Sequence, residues 1–348
     1  MRKLVAGLLG ALVALPAWAA PTHVADLTST EQVLGWLGAY RKHPQPFEVP
    51  AVMEKASKLG AFNTPERAGV YVGFLAGVIA SNPGRAEDLL AQTMAIAPDD
   101  RWIIVRAIAY SGIPDWQVLL RHFALRMPRY DVLTQRYIDG KMPTLAQFSV
   151  PPAPDMFERM RQGWHLDKVF GERPRKVTLT PSPEVLDTLW GNYFATGGYG
   201  PILDIVDMLP LAADHNDAER LTIGSMAKYT LATNAVRDAE LLAMLKNTRK
   251  ARNEPKVIVT ALDDVIDAAE TVDTARIRRD ALAAIEEVRA KGPAYKRTAS
   301  WWAFIGQSLI AGGCMAAAAL GQVEVGLPCV LGGATASAGM NFIANSPD

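Results

Sequence analysis

Residues 63–83 read NTPERAGVYVGFLAGVIASNP, and this stretch decides the fold class. Asn63 is a suitable helix cap, Pro65 fits the first turn, and Glu66 lies near the positive end of the helix dipole. Asn82-Pro83 then predicts the end of the helix, because proline cannot continue it. The apolar residues between these signals have helical spacing and predict one buried face. They are Val70, Tyr71, Phe74, Leu75, Val78 and Ile79.

The same pattern recurs along most of the chain, with hardly any alternating, strand-like segments. Three turns place small residues before a proline and follow one another at about 30 residues, close to the length of a two-helix repeat unit. These turns are Ala80–Pro83, Tyr110–Pro114 and Ile138–Pro143. We therefore predict an all-α protein of helical hairpins, packed as an irregular α-solenoid or as a multi-helix array.

Proline-rich sequence interrupts the helical pattern once and predicts a domain boundary. Prolines cluster in Val150–Pro154 and Arg173–Pro183, while Met156–Val169 between them has the character of a helix. The predicted division has five parts. They are a signal peptide (1–19), an N-terminal helical domain (20–143), a structured linker (144–183), a C-terminal helical domain (184–298) and an apolar tail (299–348).

Two features organise the predicted C-terminal domain. Asn216–Glu219 has the composition of a capping box and predicts a helix that runs toward Asn234. The charged stretch from Asp263 to Lys291 predicts one or two amphipathic helices. Their predicted buried side consists of Ile266, Ile277, Leu282, Ile285 and Val288.

The N-terminus has the features of a cleavable secretory signal peptide. Arg2 and Lys3 precede a charge-free run from Leu4 to Leu15, which is shorter than the roughly 20 residues that span a bilayer. Ala17-Trp18-Ala19 supplies small residues at the positions that signal peptidase requires. We expect cleavage rather than an uncleaved anchor, and an exported protein of the periplasm or bacterial cell envelope.

The tail contains two charge-free segments, Trp301–Leu320 and Val325–Ile343. Each has about the length of a membrane-spanning helix, so residues 301–343 would form a membrane hairpin in one interpretation. Pro328 and the basic residues before the tail favour the other, a Gly/Ala-rich apolar hairpin buried against the preceding helices. Cys314 and Cys329 are candidates for a disulfide in an oxidising compartment, and metal binding by this pair is the weaker alternative.

Composition excludes several classes of function. The chain has 36 basic and 36 acidic residues, so it lacks the positive field of a dedicated nucleic-acid-binding protein. Its five histidines are scattered without metal-ligand spacing, and we predict no metal site. Gly197–Gly200 follows no predicted strand and reads as a turn, so no cofactor is predicted either.

One spacing has a catalytic precedent. Ser225 and Lys228 form an S-x-x-K pair, which on a helix places the lysine amine on the same face as the serine hydroxyl. The S-D-N and K-T-G elements that accompany this pair in serine enzymes are missing, as is the expected β-sheet. A helix with a small residue and a solvated lysine is therefore the preferred interpretation of this spacing.

Three functions follow, and the first requires the fewest assumptions. We expect an exported helical interaction or scaffold protein of the bacterial cell envelope, with a protein partner, and a surface groove with exposed aromatic residues would favour it. The alternatives are a membrane-associated envelope protein anchored by residues 301–343 and an exported serine hydrolase that uses Ser225 and Lys228.

Overall fold

A computed structural model describes residues 23–152, 177–251 and 255–290, and every regular element within these ranges is helical. The N-terminal helices are α1 (Thr30–Tyr40), α2 (Val49–Lys58), α3 (Gly69–Ser81), α4 (Ala86–Thr93), α5 (Trp102–Tyr110), α6 (Trp116–Ala124) and α7 (Asp131–Ile138). The C-terminal helices are α8 (Pro183–Thr196), α9 (Tyr199–Asp207), α10 (Ala218–Arg237), α11 (Ala239–Ala251), α12 (Lys256–Glu270) and α13 (Thr274–Ala290). The predicted all-α multi-helix array is confirmed.

Helix α3 lies at the centre of the array. A short 3₁₀ turn, Pro65–Arg67, follows Thr64 and precedes α3. The α-helix therefore begins at Gly69, later than the cap predicted at Asn63. Every residue from Gly69 to Ile79 is buried. The prediction that only one face of this helix is buried was therefore wrong. A helix that is apolar all round must lie within the core, and α3 does.

The partner of α3 is α8, and glycine brings their backbones into direct contact. A Cβ atom on Gly73 would lie 1.8 Å from the carbonyl oxygen of Thr188, and one on Gly191 would lie 2.0 Å from that of Val70. Real side chains do not tolerate such distances, so only glycine fits these positions. We call this contact the glycine seam; its glycines are Gly69, Gly73, Gly77 and Gly191.

The remaining helices surround the seam. Helix α5 packs on α3, while α1 and α9 pack on α8. One apolar cluster extends from Leu27 to Ala281 and thus includes residues from both predicted helical domains. The domain division itself stays a prediction.

The described part of the predicted linker contains a short parallel pairing. The backbone N–H of Ser149 donates to the carbonyl oxygen of Leu179 at 3.0 Å, and the N–H of Leu179 donates to that of Gln147 at 3.0 Å. These bonds pair Phe148 with Leu179 in an isolated parallel bridge, after which residues 149–152 have no regular structure. The predicted helix Met156–Val169 lies outside the described residues.

Helix α10 is the centre of the C-terminal part. It packs on α12, α13 and the 3₁₀ helix Leu209–Ala213. Asp217 is its cap and accepts hydrogen bonds from two backbone N–H groups, so the cap lies one residue later than Asn216, and the helix ends at Arg237 rather than near Asn234. The cap residue immediately precedes the helix, so its side chain can accept hydrogen bonds from the free N–H groups of the first turn.

The charged stretch after Asp263 forms parts of two helices, α12 and α13. Of the residues predicted on its buried side, Ile277 is buried and Ile266, Leu282 and Ile285 are partly buried against the core. The side chain of Val288 lies outside the described residues.

Polar contacts connect α1 and α8 with the later helices α10 and α11. The Arg41 guanidinium pairs with the carboxylates of Asp238 and Glu240, and the Tyr193 hydroxyl donates to Asp238 at 2.8 Å. The indole N–H of Trp190 donates to the Thr230 hydroxyl at 3.1 Å. These contacts join the seam to α10 and the start of α11.

Among the helices of residues 23–152, 177–251 and 255–290, none combines the length and apolar character needed to cross a bilayer. The predicted signal peptide, the apolar tail 299–348 and the Cys314–Cys329 pair lie outside these ranges.

Candidate functional site

A surface cavity of about 720 Å³ lies where residues 148–152 meet the C-terminal helices. We call it the acidic groove. Its walls come from the C-terminal end of α9, the 3₁₀ helix after it, and the first turn of α10. The lining residues are Phe148, Ser149, Val150, Pro151, Pro152, Asp204, Asp207, Pro210, Leu211, Ala213, Asp214, Asn216 and Arg220.

Two carboxylates on α9 form one wall of the groove. Asp204 and Asp207 are three residues apart and therefore lie on the same side of the helix. The buried residues Ile202, Ile205 and Val206 occupy the other side and fix α9 against the core. Burial of the apolar side thus leaves both aspartates directed to the groove.

Asp204 has no counter-charge among the residues that the structure describes. Its side chain is half-buried, and within the described ranges neither a cation nor a hydrogen-bond donor pairs with it. Burial, followed by the neighbouring Asp207 carboxylate, raises the pKa of Asp204 to about 6. Both causes disfavour the charged form, because water is partly removed and a like charge is near.

Arg220 lines the groove, and two of its five N–H donors bind neighbouring groups. Its Nε donates to the Asp214 carboxylate at 2.9 Å, and its Nη1 donates to the carbonyl oxygen of Pro151 at 2.9 Å. Both partners of the ion pair are mostly buried, with 18% of the Arg220 and 12% of the Asp214 side chain exposed. Arg220 therefore pairs with Asp214 and holds the backbone at Pro151, and none of its printed bonds reaches Asp204.

The groove also has apolar lining residues, which are Phe148, Val150, Pro151, Pro152 and Pro210. Proline fixes φ at three of these positions. Apolar side chains in the same groove as carboxylates suit a ligand group that has a hydrocarbon stem and a positive end.

The S-x-x-K pair lies away from the groove lining. Ser225 is buried inside α10 with 3% of its surface exposed. The Lys228 amine donates to the Asp264 carboxylate of α12 at 2.6 Å. This contact ties α10 to α12, and the catalytic use of Ser225 and Lys228 stays a prediction.

No protein-family model, curated protein or solved structure matches this chain. The function must therefore be argued from its own groove and core. Among the described residues, no three or more histidine, cysteine, aspartate or glutamate side chains are grouped to hold a metal ion.

A second uncompensated carboxylate lies in the glycine seam. Asp187 of α8 is fully buried, and among the described residues neither of its carboxylate oxygens has a hydrogen-bond partner. A Cβ on Gly69 would lie 3.1 Å from the Cβ of Asp187, which places this side chain at the start of α3. Burial, followed by Glu184, raises the pKa of Asp187 well above its ordinary value. No opening to solvent reaches it, so it is a core residue and not part of a binding site.

The groove aspartates were not predicted, although the sequence carries a signal for them. Asp204 and Asp207 are three residues apart within the otherwise apolar stretch Ile202–Met208, a spacing that places both carboxylates on one side of a helix. Asp214 directly precedes the capping motif predicted at Asn216–Glu219, and nothing in that motif indicates a separate role for it. Asp217 does cap α10, whereas Asp214 pairs with Arg220 in the groove wall.

Proposed function

We propose that this chain is an exported helical interaction or scaffold protein of the bacterial cell envelope, and that the acidic groove receives a protein partner. The groove is the observation that carries the proposal. Its volume of about 720 Å³ falls within the range of roughly 300–1,000 Å³ that is typical of ligand pockets. Phe148 supplies an aromatic side chain to its wall.

The construction of the groove supports binding rather than chemistry. Its carboxylates lie on a packed helix, and its apolar wall is fixed by Arg220, so the surface is formed before a partner arrives. Such preformed surfaces lose little conformational entropy on association. Neither Ser225 nor Lys228 is among its lining residues, and the Lys228 amine is paired with Asp264.

Photo-crosslinking in the producing cell tests the groove as the binding surface. Ser149 is exposed on the groove wall and would be replaced by a photoreactive phenylalanine derivative. We expect one or a few defined adducts from this position. The same replacement at Gln92, exposed on α4, is the matched control and should give none of them. Equal adduct patterns from both positions would contradict the proposal.

Fractionation tests the proposed location. The full chain and a chain that lacks residues 299–348 would both be expressed and washed with alkaline carbonate, which removes peripheral proteins from membranes. We expect both forms to leave the cytoplasm and to be released by the wash. Retention of the full chain alone would instead support the membrane-anchored alternative through residues 301–343.

A further inference from the structure

We infer that the partner binds in the acidic groove as an extended segment that pairs with the backbone of residues 148–150, an inference that rests on the function proposed above. Phe148 already forms an isolated parallel bridge with Leu179. In this bridge the Leu179 N–H donates to the Gln147 carbonyl oxygen, and the Ser149 N–H donates to the Leu179 carbonyl oxygen. These bonds occupy only one edge of the short segment.

The opposite edge of the segment carries backbone groups without partners. Where backbone is extended, the N–H and C=O groups of successive residues point to alternate edges, so those of Phe148 and Val150 point away from Leu179. The Phe148 N–H donates to the Leu145 carbonyl oxygen at 3.0 Å. Within the described ranges, the Phe148 carbonyl and both the N–H and the carbonyl of Val150 have no hydrogen-bond partner. An added strand would bond through these three groups.

The local sequence keeps this edge available and short. Phe148 has extended backbone, with φ of −60° and ψ of 136°. Val150 and Pro151 each precede a proline, and a residue in that position disfavours helical dihedral angles. Pro151 and Pro152 have no N–H, so they cannot donate to a partner beyond Val150. The pairing is therefore limited to one defined stretch of backbone.

The open edge lies at the groove. Residues 148–152 all line it, whereas Leu179 on the occupied edge is not among the described residues that do. A strand added here would direct alternate side chains to the apolar groups of Phe148 and Val150, while its main chain supplies the hydrogen bonds. Lipids and nucleic acids lack the alternating N–H and C=O groups that this pairing requires. The matching partner is an extended polypeptide segment.

Peptide binding to the full mature chain tests the inference from the partner's side. Short peptides of random sequence would be selected on the native chain. Groove binders are those that form photo-adducts with the chain labelled at Ser149 and none with the chain labelled at Gln92. N-methylation of alternate residues then removes the N–H groups of one peptide edge and keeps every side chain. We expect it to weaken binding about tenfold in fluorescence anisotropy, as the loss of one or two hydrogen bonds implies.

Matched variants test the chain's side of the pairing. Val150→Pro removes the N–H of the open edge and breaks no hydrogen bond of the described structure. It should weaken the groove-binding peptides about tenfold. Val150→Ala keeps the N–H while it loses apolar surface, and it should change the affinity by less than about threefold. Equal losses in the two variants would show that side chains and not backbone groups carry the binding, which would overturn the inference.

Hydrogen exchange tests whether the edge is free before a partner binds. The Val150 amide should exchange rapidly in the native chain and slowly once a groove-binding peptide is added. Protection of this amide in the peptide-free chain would show that another part of the chain, or a second copy, already occupies the edge, and the inference would be rejected. Failure to select any groove-binding peptide would also reject it. Defined adducts from Ser149 in the cell would in that case still support the proposed function, with a folded partner surface in place of an extended segment.

Discussion

The glycine seam and the acidic groove each contain an aspartate for which the described residues supply no cation, and the two differ in exposure to solvent. Asp187 is sealed between α3 and α8, with no part of its surface exposed. Asp204 lines a cavity that is open to solvent. Burial raises the pKa of both carboxyl groups. The unpaired carboxylate of the seam only lowers the stability of the fold, whereas that of the groove remains available to a ligand.

Adding a single methyl group within the glycine seam should have the largest effect on stability. In Gly73→Ala the new Cβ would meet the carbonyl oxygen of Thr188, which belongs to the backbone and cannot rotate away. Helices α3 and α8 must then separate. We expect the free energy of unfolding to fall by about 3 kcal/mol or more, measured by urea denaturation.

Gly38→Ala is the matched control for this substitution. Gly38 lies within α1, and a Cβ there meets nothing within 4 Å. Alanine should therefore stabilise the helix by up to about 1 kcal/mol, because it is the better helix former. Similar losses in both variants would mean that the seam does not depend on backbone contact.

Asp187→Asn should increase stability at neutral pH. A carboxyl with a raised pKa in the folded state stabilises the fold fully below the unfolded pKa of about 4, and this contribution is lost as the pH rises toward the folded pKa. The native protein should therefore lose about 1.4 kcal/mol per pH unit through this group within that window. Asparagine has no such loss, so the two urea-denaturation profiles should diverge as the pH rises above 4.

The exposed Asp263 provides a control of opposite sign. The Arg249 guanidinium hydrogen-bonds to this carboxylate and lowers its pKa. Its contribution to stability is therefore present at neutral pH and is lost on acidification through the lowered pKa. Asp263→Asn should slightly destabilise the protein above pH 4. Parallel profiles for the Asp187 and Asp263 variants would contradict the contrast between a sealed and a paired carboxylate.

Removing Arg220 should turn part of the groove into a second uncompensated site. Arg220→Ala leaves the mostly buried Asp214 without its cation and frees the Pro151 carbonyl. We expect a loss of about 1–2 kcal/mol in thermal or urea unfolding. Arg249→Ala breaks an ion pair whose side chains are 43% and 50% exposed, and it should cost no more than about 0.5 kcal/mol.

Asp204→Asn should have the smallest effect on folding. Its raised pKa of about 6 means that its contribution is full below about pH 4 and is lost as the pH rises through 6. The variant should thus exceed the native protein in stability at pH 7, by less than about 1 kcal/mol because solvent reaches the groove. Titration of the Asp204 carboxyl carbon by NMR would locate the pKa directly. A midpoint near 4 would remove the distinction between this carboxyl and an exposed one.

Much of the helical pattern could be predicted from local sequence. Prolines and small residues before them mark turns, as at Tyr110–Pro114, where Gly112 has a φ of 69° that side chains rarely adopt. The all-round burial of α3 could not be predicted in the same way. Gly69, Gly73 and Gly77 carry no hydrophobic signal, and their role depends on Gly191 in a distant segment.

The groove was less predictable than the fold for a related reason. Its carboxylates, its guanidinium and its proline wall come from separate stretches that the chain brings together only in three dimensions. Asp204 resembles a solvated helix residue in sequence, because nothing nearby shows whether it is paired. Asp187, within the apolar run Val185–Tyr193, likewise shows no sign in sequence that it lacks a hydrogen-bond partner.

The glycine seam also sets the order in which the chain can complete its core. Gly73 and Gly191 lie on opposite sides of the proline-rich segment. Helix α3 therefore cannot pack on α8 until α8 has been synthesised. Closing so long a loop carries an entropic cost before any contact forms, which delays the final step of folding. A nascent N-terminal half would therefore remain incompletely folded. If the chain is exported as proposed above, such a delay would keep it unfolded while it crosses the membrane.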